Sequence, residues 1–120
     1  MPLAIITYRP NSTITHLVCG IAEVLPSIIA QTLSIPEHPH ASLSEGDTEV
    51  RLVASSGLDL NVPEIAIQVF ANDYEGRRAN LSERTVEICK LLRESKAWFP
   101  SMDGHIYVWV MLCPGSFVKM

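Results

Sequence analysis

The sequence is short of positive charge, of paired cysteines and of uninterrupted apolar length, and each shortage removes a class of function. Nine Lys and Arg stand against thirteen Asp and Glu, a formal net charge of −4. A phosphate backbone or an anionic lipid surface attracts the opposite balance, so neither nucleic acid nor a membrane is expected as a partner. Cys19, Cys89 and Cys113 are odd in number and far apart, which fits reduced thiols better than a disulfide frame. His38 and His40 in "EHPH" lack a second cluster to complete a ligand set, so no metal is expected and the segment reads as a polar loop.

The longest apolar stretch, "ITHLVCGIAEVLPSIIAQTLSI", carries His16, Glu23 and Pro26. Its apolar residues recur at helical spacing rather than continuously, unlike a membrane span. No basic segment followed by an apolar one precedes it, so no secretory signal is expected. The expected location is cytoplasmic, and the sequons at Asn11 and Asn80 are expected to go unused.

What is present suits one compact core. A chain of 120 residues with 48% hydrophobic side chains is long enough for one domain, residues 1–120, and short for two. Leu3 to Tyr8 reads as a strand, broken by "RPNST", where Ser12 or Thr13 can cap a helix. Ile14, Leu17, Val18, Ile21, Leu25, Ile28, Ile29 and Leu33 then form one amphipathic stripe, which Pro26 is expected to kink or divide near Leu25. A loop leads to a strand over Glu49 to Ala54.

A second round follows. "EIAIQVFA" reads as a strand, "NDYEGRRAN" as a turn-rich loop and "LSERTVEICKLLRES" as a helix with the stripe Leu81, Thr85, Ile88, Cys89 and Leu92. Asn80 and Glu83 have the spacing of a capping box, with acids early and bases late in the helix. "HIYVWVML" supplies the last strand.

The order is β-α-β twice, with halves of about 1–60 and 61–120 whose first strands start 62 residues apart, at Leu3 and Ile65. This predicts an α+β fold: one four-stranded sheet with two helices on one face. The last strand is apolar on both sides, with Ile106, Val108, Val110 and Leu112 on one and Tyr107, Trp109 and Met111 on the other. The face without helices therefore needs a cover, and a homo-oligomer closed into a ring provides one. A ferredoxin-like module shares the element order, although its RNA-binding versions carry a basic-aromatic surface that the last strand lacks.

"MPLAII" at the start and "YEGRR" after the third strand resemble the tautomerase superfamily, which includes 4-oxalocrotonate tautomerase, 5-carboxymethyl-2-hydroxymuconate isomerase and macrophage migration inhibitory factor. The resemblance implies two β-α-β units per chain, a trimer, and catalysis by an amino-terminal proline freed by loss of Met1. It assigns Pro2 as the catalytic residue. A free secondary amine can exchange a proton if an apolar pocket lowers its pKa, whereas an amide nitrogen cannot.

The resemblance also places Arg77, with Arg78 beside it, on a substrate carboxylate, and puts Tyr107 and Trp109 in the substrate pocket. Two arginines ahead of a helix amino terminus oppose its dipole unless an anion joins them, and solvated surface is the other reading of the pair. For Tyr107 and Trp109 the other reading is packing at an oligomer interface. The family's first-loop arginine has no counterpart at matching spacing, since Arg9 stands too early, and the lysine before the post-helix proline is Ile35.

The expected activity is tautomerisation or isomerisation of a small 2-oxo or 2-hydroxy-unsaturated carboxylic acid, without metal or organic cofactor. The alternative is a non-catalytic oligomeric binding protein that keeps the fold.

Overall fold

The computed structural model describes residues 2–38, 41–114 and 120. β1 (Leu3–Tyr8) leads into α1 (Ser12–Leu33), and β2 (Glu49–Ala54) completes the first unit. β3 (Ile65–Asn72), the single-turn helix α2 (Glu75–Arg78), α3 (Leu81–Glu94) and β4 (Ile106–Cys113) form the second. Gly104, at φ 84, makes the turn into β4, a conformation that glycine adopts without strain.

α1 begins at Asn11, whose side chain accepts the Ile14 N–H at 2.8 Å. The cap thus sits ahead of the expected Ser12 or Thr13, because Asn in extended conformation aims its oxygen at the free amides. All eight residues of the expected stripe are buried, at roughly 1.5–3 kcal/mol for each large side chain. Pro26 does not divide the helix, which runs unbroken from Ser12 to Leu33. Burial of Ile21, Leu25, Ile28 and Ile29 on both sides of it offsets the hydrogen bond that proline removes. By length and composition α1 could cross a bilayer, but its apolar stripe lies in the core with the sheet.

The strand order is β2-β1-β3-β4. β1 pairs parallel with β2, β3 parallel with β4, and β1 antiparallel with β3. Each β-α-β unit is therefore a parallel pair, and the two units join back to back through their first strands. Two parallel pairings exclude the all-antiparallel ferredoxin-like sheet.

Alternation puts Ala4 and Ile6 of β1 and Ile65, Ile67, Val69 and Ala71 of β3 beneath the helices. Leu3, Ile5, Gln68, Phe70, Tyr107, Trp109 and Met111 fall on the opposite face, as the apolar pattern on both sides of β4 implies. Helices pack on one face only, and Tyr107 and Trp109 remain 64% and 62% exposed on the other.

Candidate active site

Pro2 is buried at the end of the sheet where β1 and β2 begin and β3 and β4 finish. Its carbonyl accepts the Glu49 N–H at 3.1 Å, which extends the β1–β2 ladder by one residue and fixes the proline against the sheet. Met1, whose removal frees the proline nitrogen, lies outside the described residues, as does His40 of "EHPH". Among the described residues no cluster of three or more His, Cys, Asp or Glu could hold a metal.

The "YEGRR" segment forms α2 rather than an open loop, so its two arginines diverge. Arg77 points inward, is 2% exposed and is among the largest fully buried side chains. Its Nε donates to the Leu33 carbonyl at 2.8 Å and its Nη1 to the Asn72 carbonyl at 3.0 Å. The guanidinium carbon stands 5.1 Å from the Tyr74 ring centroid, within cation–π range. Burial pushes its pKa below the ordinary arginine value. Gly76 permits this arrangement: a Cβ there would meet Ile35 Cδ1 at 3.0 Å.

Arg78 points outward, and its Nε donates to Asp73 Oδ1 at 2.8 Å. That bond raises its pKa. The anion nearest this guanidinium is therefore an internal one.

Arg84, unassigned by sequence reasoning, completes the arrangement. Its Nη1 donates to the Thr32 carbonyl at 2.7 Å and the Ser34 carbonyl at 3.2 Å. α1 has no basic residue in its last turn, and its carboxyl-terminal carbonyls carry partial negative charge. Arg77 and Arg84, both from the second unit, supply the missing positive ends. Asn80 Oδ1 accepts from Arg84 Nε at 2.6 Å instead of capping α3. The expected capping box is thus replaced by a competing guanidinium. A positive charge in the first turn of α3, unfavourable to its own helix, was the signal for this partner.

Tyr107 and Trp109 stand at the opposite end of β3 from α2. With Arg9, Asn61, Val62 and Gln68 they line an open groove of about 620 Å³. Asn61 holds φ 56, a left-handed conformation that Asn tolerates, and so turns the chain ahead of Val62 into the groove wall. Pro2 and Arg9 lie at opposite ends of β1, about 23 Å apart along a strand that rises ~3.3 Å per residue. One chain therefore brings Tyr107 and Trp109 together, but does not bring Pro2 to the groove.

No family model and no curated protein sequence matches this chain. Solved structures do match. A macrophage migration inhibitory factor-like protein from Entamoeba histolytica is 19% identical over 95% of this chain and 90% of its own, with a TM-score of 0.56. A fused 4-OT solved as a symmetric trimer is 12% identical over 93% and 85%, with a TM-score of 0.58. Malonate semialdehyde decarboxylase, whose structures address decarboxylase and hydratase activities, is 9% identical over 98% and 91%, with a TM-score of 0.59. At these identities the likeness shows the fold alone, a four-stranded sheet with helices on one face shared with these structures.

Proposed function

We propose that the protein is a tautomerase or isomerase that moves a proton within a small 2-oxo or 2-hydroxy-unsaturated carboxylic acid, with Pro2 as general base after Met1 is removed. The observation that carries this reading is the position of Pro2: buried, at the start of a central strand, in a tautomerase-like fold. A base working near pH 7 requires an amine whose protonated form is disfavoured, and burial acts in that direction on a free amine. Moving a proton between carbon and enol oxygen needs no metal or organic cofactor.

The groove beside Tyr107 and Trp109 supplies flat apolar walls for a conjugated acid. Arg78, exposed in α2 at the end of the sheet where Pro2 lies, draws the acid by charge, and Arg77 holds the turn that carries it. Since Pro2 and the groove lie apart in one chain, the reading includes a homo-oligomer, as a trimer, in which Pro2 of one protomer meets the groove of its neighbour. The exposed apolar sheet face supports such assembly, as does the symmetric trimer formed by the fused 4-OT.

A non-catalytic binding protein of the same fold is the second reading. The commitment of Arg77 to backbone carbonyls favours it, because one residue assigned to substrate has another task. Intact mass of the native protein and phenylpyruvate tautomerase assays of wild type and Pro2→Ala decide between them. Proton transfer by Pro2 requires loss of Met1 and a sharp fall in the variant's rate; equal rates leave only the binding protein.

A further inference from the structure

The Thr48 hydroxyl is buried and, among the described residues, makes no hydrogen bond. A buried hydroxyl left in this state costs free energy, and the sheet points to the partner it lacks. β1 and β2 pair in parallel from Leu3 and Glu49 onward. The bond from the Glu49 N–H to the Pro2 carbonyl carries the ladder one residue further back, which sets Thr48 beside Pro2.

Alternation places Pro2 on the side of Ala4 and Ile6, and Thr48 on the side of Val50, which packs against the same core. Both residues thus lie on the helix-covered side of the sheet. The carboxylates that flank Thr48 in sequence are engaged elsewhere. Asp47 Oδ2 accepts from the Ser44 N–H at 2.7 Å and from the Ser44 hydroxyl at 3.0 Å, and Glu49 Oε1 accepts from Arg51 Nε at 2.7 Å. While Met1 is attached, the Pro2 nitrogen carries no hydrogen and has nothing to offer Thr48. Loss of Met1 makes it a secondary amine with one N–H and one lone pair.

We propose that Thr48 is a positioning residue for Pro2: its Oγ1 accepts the N–H of the freed amine and so fixes the side on which the lone pair takes the substrate's proton. A secondary amine that nothing holds inverts, exchanging the two positions. With the N–H committed to Thr48, the lone pair is left for a proton from a substrate carbon or enol oxygen. The ammonium that forms keeps one N–H on Thr48 and returns the other proton to the substrate, and the threonine proton stays on its own oxygen throughout. The catalytic part rests on Pro2 being the base, whereas the bond itself requires only the loss of Met1.

The test is a cycle of four proteins, wild type and Thr48→Val, each with Met1 retained and with Met1 removed, sorted by intact mass and melted. With Met1 retained, the valine removes an unpartnered hydroxyl and raises the melting temperature by about 2–4 °C; with Met1 removed, it breaks a bond and lowers it by about as much. Packing effects of the valine are common to both arms and cancel. An equal shift in the two arms overturns the assignment. Phenylpyruvate turnover by the Met1-free proteins reads the positioning: Thr48→Val lowers kcat about tenfold with KM within about twofold, and Thr48→Ser keeps most of the rate. An unchanged kcat in Thr48→Val overturns the positioning role. Turnover by Pro2→Ala equal to wild type removes Pro2 as the base, and unequal melting shifts then uphold the Thr48–Pro2 bond without it.

Discussion

The Nε of Arg77 donates at 2.8 Å to the carbonyl of Leu33, 44 residues earlier, so a side chain of the second unit closes the helix of the first. Asn72 takes a second bond from the same guanidinium, and Tyr74 covers it. The charge is buried, and these contacts oppose its desolvation, while the Arg84 guanidinium nearby acts against it. Removing the Arg77 guanidinium takes this partner from the Leu33 and Asn72 carbonyls, which is more costly than losing an exposed ion pair.

Arg77→Met should therefore lower unfolding stability by about 2–4 kcal/mol, read as a reduced urea midpoint at unchanged slope. Arg77→Lys should recover less than half of the loss, since one ammonium cannot reproduce a fork that spans two carbonyls. A loss below about 0.5 kcal/mol, the range of ordinary surface substitutions, would mean that the guanidinium is not a structural post and would return it to the substrate.

The contrast between Arg77 and the α1 stripe shows what was readable in the letters. Ile14 to Leu33 could be assigned because periodicity is a local property and burial follows it directly. β1 and β2 also appear at the bounds that composition implies, and the doubled order of elements was enough to propose one sheet with helices on one face. The direction of Arg77 was not readable, because whether a loop arginine faces solvent depends on which distant carbonyls lack partners. Leu33 becomes such a carbonyl only after α1 and α2 have packed.

Arg9 was visible but left without a role, since spacing from Pro2 was compared along the chain. Its place beside Tyr107 and Trp109 comes from strand pairing across β1, β3 and β4, and from the turn at Asn61. The continuity of α1 through Pro26 was unreadable for a related reason: the cost of proline to an isolated helix is local, while the burial that offsets it is tertiary.

Cys19 and Cys89 should differ in reactivity. Cys19 is exposed, whereas Cys89 is half-buried and burial raises its pKa above the ordinary thiol value. The thiolate is the reactive form, so iodoacetamide at pH 8 should label Cys19 well before Cys89. A raised pKa keeps Cys89 protonated to higher pH, so its labelling rate should still be climbing above pH 9. Peptide mass mapping checks the order, and labelling of both at one rate would contradict the burial of Cys89.

Ile5 lies on the face of β1 without helices, in register with Gln68 and hence with Trp109. If that face is closed by other protomers, Ile5→Glu places a carboxylate in a dry interface, where an unpaired charge cannot be tolerated. In an isolated chain the same residue would point toward water. Light scattering should therefore give the oligomer mass for wild type and the monomer mass for Ile5→Glu, with circular dichroism unchanged. Identical masses would remove the composite site.

The base hypothesis makes its sharpest demand on one peptide bond. With Met1 attached, the nitrogen of Pro2 is an amide with no proton affinity near neutral pH; with Met1 removed it is a secondary amine in a buried setting. The two forms share every other residue, so any difference in rate between them belongs to that nitrogen. A preparation that retains Met1 should lose about 10²–10⁴-fold in kcat, the usual contribution of a positioned general base. Treatment with an aminopeptidase specific for methionine should restore it. Equal kcat before and after removal would exclude Pro2 as the base, whatever the oligomer.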